Sequence, residues 1–360
     1  MTGSRIDRVQ TVLVEGGYSA LVAGPGSDMA YLIGNFAHAS ERPQVLIVPA
    51  RGEPVIVVSG FEARALPELD EVRVAPYGET DDVYALTTSV SSPDLWTDVL
   101  ISDDARSDVL LRLQAQFAPV RFSPASPTLR SLRMIKDKTE IEALRTAARH
   151  ADAAFTRFLE TPITGVTEME LGLRLRRLME DEGLTNCAGI VGSGPNGASP
   201  HHHSGDRRVQ EGDLVVFDFF GTAEGYWADT TRTLSVGEPS SEQRAAYEAV
   251  RKANAAGANA VRPGVTAESV DSAARSIIAA AGFGEAFIHR TGHGIGLDEH
   301  EEPYIVSGNK LELQPGMTFT IEPGVYLDAN FGIRIEDVAV VTDEGVDILN
   351  SVPRELRVVA

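Results

Sequence analysis

Two stretches of the chain, "VQEGDLVVFD" (residues 209–218) and "LQPGMTFTIE" (residues 313–322), lie over one another. Each reads apolar residue, Gln, any residue, Gly, then an apolar strand closed by an acid. Asp218 and Glu322 therefore hold the same place in two copies of one unit. Working outward, each copy follows a pair of helices. Ile141, Leu144, Ala148, Ala151, Phe155 and Phe158 recur at three- and four-residue spacing, which predicts one apolar helix face. Thr167 with Glu170 forms a capping box for a second helix, which Gly183 ends. Strands follow in "AGIVGSG", "DLVVFDFFG" and "YWADTTRTLSV". The order then restarts. Ser240 with Gln243 caps a third helix, residues 266–282 make a fourth, and "AFIHRTG", "MTFTIEPGVYL" and "FGIRIEDVAVV" are strands. A second acid trails each copy, Asp229 in the first and Glu336 in the second, with a few extra residues in the latter. Two halves related by a pseudo-twofold axis bring four carboxylates together at the centre of one sheet.

The first third reads differently. "YSALVAGP", "QVLIVPA" and "EPVIVVSG" are strands bounded by Gly and Pro, while "DDVYALTTSV" and "SDVLLRLQAQF" are more helical. This is an α/β domain with a largely buried sheet and no cluster of His, Cys or acids that reads as a site. The turn-prone "RFSPASPTLRSLRMIKDKTE" places a boundary near residue 130, giving domains 1–130 and 131–360. At 360 residues, two domains are the natural expectation. Acids outnumber bases 52 to 32, a formal charge of -20, which argues against nucleic acid and anionic membrane as partners. No stretch approaches the roughly 18 apolar residues of a bilayer span. Cys187 is the only cysteine. No intrachain disulfide is possible, and the N-terminus carries no apolar signal-peptide core, so a cytoplasmic location is expected.

The densest candidate chemistry is "HRTGHGIGLDEHEEP" (residues 289–303), which holds three of the chain's eight histidines, His289, His293 and His300. Gly292, Gly294 and Gly296 would each weaken a helix. A strand running into a loop fits better, with His289, Thr291 and His293 on one face. The glycines let another backbone or a ligand come close. Asp218, Glu322 and Glu336 sit in apolar strand contexts, Asp218 and Glu322 at strand ends, where a lone carboxylate is costly to bury. Divalent cations are the simplest partner, and His293 adds a nitrogen ligand. Asp218, Asp229, His293, Glu322 and Glu336 form an oxygen-rich set with one imidazole and no thiolate. That set suits Mn, Co, Fe or Zn rather than a closed structural zinc site. Four carboxylates overcharge one ion, whereas two ions with bridging acids balance them.

With those residues in view, "DLVVFDFFGTAEGYWADTTRT", "HRTGHGIGLDEHEEP", "FTIEPGVY" and "GIRIEDV" together resemble the pita-bread metallopeptidases, in the branch of Xaa-Pro dipeptidases (prolidases) and Xaa-Pro aminopeptidases. The first third, notably "SDMAYLIGNF", resembles that branch's creatinase-type N-terminal domain. The resemblance implies an α+β catalytic domain with a pseudo-twofold repeat and a curved antiparallel sheet. It implies that Asp218 holds one metal, Asp229 and Glu336 bridge two, and His293 and Glu322 hold the second, with Mn or Co favoured over Zn or Fe. It further implies that His201 contacts substrate, that His289 lines the proline pocket, and that His300 contacts the peptide carbonyl or shuttles protons. Arg334 would be tied to the carboxylates, and Glu322 would act as general base toward an activated water. Tyr326 is expected only to pack, and His202 and His203 to be loop residues. The implied reaction is hydrolysis of the bond preceding proline, in dipeptides first and in longer peptides as an aminopeptidase second, by a homodimer. Scission of a non-peptide C–N bond is a further alternative, and a non-catalytic peptide-binding module ranks below all of these.

Overall fold

The structure is a computed structural model describing residues 3–91 and 96–359. The chain divides into two compact units, Met1–Arg133 and Met134–Ala360.

The first unit runs α1 (Arg5–Gly16), β1 (Ala20–Ala23), α2 (Ser27–Ile33), β2 (Val45–Pro49), β3 (Val55–Ser59), β4 (Arg73–Tyr77), α3 (Val83–Ser91), β5 (Asp98–Ile101), α4 (Ser107–Gln116), β6 (Arg121–Pro124) and α5 (Ser126–Arg133). Its sheet has the order β4-β3-β2-β1-β5-β6, and β2 alone among these strands runs antiparallel to its neighbours. β1, β2 and β3 are buried nearly throughout because helices cover the sheet, which explains their unbroken apolar runs. Two elements depart from expectation. α1 forms in the N-terminal stretch, for which the sequence reading assigned no element; a Ser4–Asp7 capping box starts it, and Ile6, Val9 and Leu13 make its buried stripe. The stretch read as turn-prone folds into β6 and α5. Pro127 stands in the first turn of α5, where a missing N–H costs nothing, and Leu129 and Leu132 are buried.

The second unit continues with α6 (Lys138–Phe158), α7 (Glu168–Asp181), β7 (Thr185–Ser193), β8 (Leu214–Ala223), β9 (Tyr226–Val236), α8 (Ser241–Ala260), α9 (Ala267–Ala280), β10 (Gly292–Gly294), β11 (Glu301–Ile305), β12 (Thr318–Ile321), β13 (Gly324–Leu327), β14 (Phe331–Arg334), β15 (Asp337–Val341), β16 (Val346–Ile348) and β17 (Arg357–Val359). β17-β9-β8-β7 forms one sheet, β11-β10-β12-β15-β16 another, and β13-β14 a hairpin. The repeat is visible at backbone level. Gly212 and Gly316 both take positive φ, 87° and 89°. The N–H of Gly165 bonds Val209 O at 2.8 Å, as Gly264 bonds Leu313 O at 2.9 Å. Matching bridges join Thr167 to Arg208 and Thr266 to Glu312. The halves meet where Glu336 donates its N–H to Thr231 O at 3.1 Å and Arg334 donates its own to Thr233 Oγ1 at 3.1 Å. Among the described residues, no helix is long and apolar enough to cross a membrane.

Alternation along the strands decides which side chains meet. On β8, Val215, Phe217 and Phe219 face the core under α6 and α7, so Val216, Asp218 and Phe220 face the other way. On β9, Ala228, Leu234 and Val236 join that core, leaving Asp229, Thr231 and Thr233 on the inner face. In the second half Phe319 and Ile321 pack under α8 and α9, as do Ile333 and Ile335. Glu322, Arg334 and Glu336 therefore turn inward. Asp218 is not at a strand end as the sequence reading had it. β8 continues five residues further, to Ala223, because its partner β9 is equally long.

Phe155 anchors the helix-covered side of the first half, its ring 4.7 Å from Phe219 and 5.9 Å from both Phe158 and Phe217. Phe155→Ala is expected to lower the stability of the second unit by about 3–5 kcal/mol, read as a shift of the denaturant midpoint. A loss under about 1 kcal/mol would show that the helices hold the sheet without this cluster.

Candidate metal centre

Asp229, His293 and Glu336 are buried, and each offers a ligand atom within 4.8 Å of the others. His293 sits at the middle of β10, a strand of three residues, so the expected longer strand through His289 and Thr291 does not form. Its glycines serve protein backbone. A Cβ on Gly292 would lie 1.8 Å from Thr320 O, and one on Gly294 2.3 Å from Glu302. The imidazole Nδ1 of His293 lies 3.1 Å from Gly294 O. A carbonyl oxygen only accepts, so the proton is on Nδ1 and the lone pair is on Nε2. The other ring nitrogen, Nε2, faces Asp229 Oδ2 at 3.7 Å and Glu322 Oε1 at 3.5 Å. Three electron-rich groups converge at separations too long for hydrogen bonds. A cation resolves that arrangement, and the donor set fits one.

The remaining acids are held by a network. Arg334 donates to Asp218 Oδ2 at 2.7 Å, to Thr231 Oγ1 at 2.9 Å and to Tyr326 Oη at 3.1 Å. Thr231 donates to Glu336 Oε2 at 2.7 Å and lies 3.3 Å from Asp218 Oδ1. Glu322 Oε1 accepts from Thr320 Oγ1 at 3.2 Å. Beyond Tyr326, the phenol meets His289 Nε2 at 2.9 Å, while His289 Nδ1 faces Arg290 O at 2.6 Å. Tyr326 is thus a hydrogen-bonded link between His289 and Arg334 rather than mere packing.

Electrostatics follow from burial. Burial pushes the Asp229 carboxyl well above the usual range, and Glu336 and Asp218 push it further. Glu336 rises likewise, through burial and then Glu322 and Asp218, against the pull of Arg334. Glu322 is raised to about 7, by burial tempered by Arg334. His293 is lowered to about 3 and His289 to about 4, each chiefly by burial. The site holds more negative charge than its own guanidinium balances.

The outer residues divide. The ring of His300 lies 3.9 Å from that of His293, and its side chain is about half exposed, 48%. His201 is exposed, and its charge adds slightly to the lowering of both His289 and His300. His203 is exposed. His202 is more than a loop residue, since its Nε2 meets Glu168 Oε2 at 2.8 Å. Sequence reasoning missed Glu168, Thr231 and Glu299. Glu299 is raised to about 7 by burial and by Asp218. Only Glu299, within the acid run after Gly296, carried a readable signal.

Residues 142–343 match metallopeptidase family M24, and residues 5–135 match the creatinase/prolidase N-terminal domain. The chain belongs to metallopeptidase family M24, and that membership implies divalent metal ions. It is 43% identical over 362 residues to the "Probable dipeptidase PepE" of Mycobacterium tuberculosis, spanning 99% of this chain and 96% of that one. It is 35% identical over 317 residues to the Xaa-Pro dipeptidase of Pyrococcus furiosus, spanning 85% and 89%. The crystal structure of a recombinant prolidase from Thermococcus sibiricus superposes with TM-score 0.93 at 38% identity, covering 99% of this chain and 98% of that one.

Two predictions test the network. Thr231→Val keeps the side chain's shape but leaves Arg334 Nε and Glu336 each short of a partner. It should cost about 1–3 kcal/mol in chemical denaturation of the chelated protein, and a cost below about 0.5 kcal/mol would show the hydroxyl is dispensable. The second concerns acid. Burial pushes Glu168 up, but hydrogen bonds from Ser193, His202 and Asn196 outweigh it and hold its pKa below the ordinary 4.5. A depressed carboxyl contributes stability that is present above its unfolded-state value and is lost as pH falls through the folded one. The gap in Tm between wild type and Glu168→Gln should therefore be widest at neutral pH and close as pH drops below about 4.5. A gap constant with pH would refute this.

Proposed function

We propose that the chain hydrolyses the peptide bond preceding proline, in Xaa-Pro dipeptides before longer peptides, with two divalent ions at the inner face of the second unit. The observation that carries the reading is the Nε2 of buried His293 facing the carboxylates of Asp229 and Glu322 across 3.7 and 3.5 Å. The names of the relatives support the substrate class. Asp218 would hold one ion, Asp229 and Glu336 would bridge both, and His293 and Glu322 would hold the other. The oxygen-rich set with one imidazole suits Mn, Co, Fe or Zn, and the family resemblance favours Mn or Co among them. When bound, such ions polarise a carbonyl and bring water's pKa toward neutrality.

The chain's own groups do the rest. Glu322 would accept the proton of the attacking water. His300 and His201, at the open side, would donate to the oxyanion as the carbonyl becomes tetrahedral. His289, fixed through Tyr326 to Arg334, would form a rigid neutral wall on the proline side. Arg334 would keep Asp218 aimed inward. A homodimer completes the reading on the strength of the family resemblance, and a cytoplasmic location on that of the single cysteine.

Chelation should abolish hydrolysis of Ala-Pro, and Mn or Co should restore it. Full activity after metal removal would overturn the reading, as would cleavage of Ala-Ala as fast as Ala-Pro. Faster cleavage of Ala-Pro-Ala would favour the aminopeptidase. Glu336→Ala should lose at least one ion by elemental analysis. His300→Ala should keep both ions yet lose ~10²–10³ in kcat, about 2.7–4 kcal/mol of barrier, whereas His293→Ala should lose metal as well. If His300→Ala also loses metal, His300 is a ligand; if its turnover stays at the wild-type level, His300 is a surface residue.

A further inference from the structure

Glu168 is the first residue of α7, and its carboxylate is fully buried. Oε1 accepts from Ser193 N at 2.8 Å, Ser193 Oγ at 2.7 Å and Asn196 Nδ2 at 3.0 Å. Oε2 accepts from His202 Nε2 at 2.8 Å and Gly205 N at 3.2 Å. An ionised carboxylate only accepts, so the His202 proton is on Nε2. Every donor comes from the strand end, turn or loop that leads to and from His201.

His201 itself has no side-chain hydrogen bond among the described residues, so its aim is set by its backbone. That backbone is the corner of a β-turn, residues 199–202, closed by His202 N to Ser199 O at 3.2 Å. Pro200 stands at the second position, where its fixed φ favours the turn. The last residue of the turn is the one whose ring reaches Glu168. The same loop borders the metal centre, because His202 lines a niche together with Gly197, Asp218 and Arg334. The turn at 194–198 rests directly on β14, since a Cβ on Gly332 would lie 1.7 Å from Gly197 O. Glu168, through Asn196, fixes that turn as well.

We infer that Glu168 and His202 are positioning residues for the reaction: the Glu168–His202 bond locks the turn that presents His201 to the substrate carbonyl. This rests on the role proposed above for His201 and adds two residues that never touch substrate. Loss of the partner that orients a metal-bound side chain typically costs ~10–100-fold in activity, and a loss of the same order is expected here.

A double-mutant cycle on the Mn-loaded full-length enzyme tests it. His202→Ala should lower kcat for Ala-Pro ~10–100-fold, with KM and metal content unchanged. His202→Gln, whose Nε2 can donate from a similar place, should retain most of the turnover. In a His201→Ala background, His202→Ala should cost nothing more, because the pair acts through one group. His202→Asn, too short to reach Glu168, should match His202→Ala and serves if the alanine variant folds poorly. Equal losses from His202→Ala in both backgrounds would mean a general structural role and overturn the proposal. So would wild-type turnover of His202→Ala, or of His201→Ala. The bond is also readable without activity. In the chelated protein, one slowly exchanging imidazole N–H resonance should be present in wild type and absent in both Glu168→Gln and His202→Gln. Its absence from wild type would overturn the anchor even if Ala-Pro is hydrolysed. Its presence in a protein that leaves Ala-Pro intact would sustain the anchor while the substrate reading fails.

Discussion

The second unit is arranged around a repulsion. Strand alternation and a twofold-like repeat turn Asp218, Asp229, Glu322 and Glu336 toward one another on a face that water scarcely reaches, and a neutral imidazole adds a lone pair. Apolar packing can be satisfied by many side-chain combinations. Converging buried carboxylates cannot, because each raises the energetic cost of ionising the next. Arg334, Thr231 and Thr320 are placed to hold individual oxygens, yet the single charge of Arg334 falls short of what the cluster needs. Family membership in the metallopeptidases and the local geometry lead to the same requirement, divalent cations.

Much of this was legible in the residues. The Gln-x-Gly repeat announced two halves, and the structure repeats its positive-φ glycines and its backbone bonds. The boxes at Thr167 and Ser240 form as the local pattern dictates, because capping is decided within four residues. The second acids were less readable. Asp229 lies opposite Phe220 on the neighbouring strand, whereas Glu336 directly precedes Asp337, which lies opposite Ile321. The repeat is therefore approximate there, and the extra residues of the second copy shift the register.

What escaped was of one kind. Glu168 looked like an ordinary first-turn acid on α7, where negative charge is favoured anyway. Its partners are 25 to 37 residues away, and no short-range pattern encodes them. His202 was indistinguishable from its neighbours in a run of three histidines until a buried carboxylate was seen beside it. α1 and α5 were missed because their apolar stripes are narrow, three residues and two, and only tertiary cover makes them helices. Asp218 was misplaced within its strand because the length of β8 depends on β9, which sequence position alone does not reveal.

The seam between the halves has a consequence for how the chain reaches its native state. Thr231 and Glu336 are 105 residues apart in sequence, Thr233 and Arg334 are 101 apart, and their bonds complete the inner face. Contacts of such separation close large loops before any stabilisation is returned, so they form late and slow the search. Before they form, the acids are exposed to water, where they repel weakly. Cation affinity thus arises only at the end of folding, and any ion that binds there stabilises the finished structure alone, in proportion to the logarithm of its concentration. For this chain, metal binding and the completed fold are therefore linked: whatever ion the inner face holds also holds the two halves together.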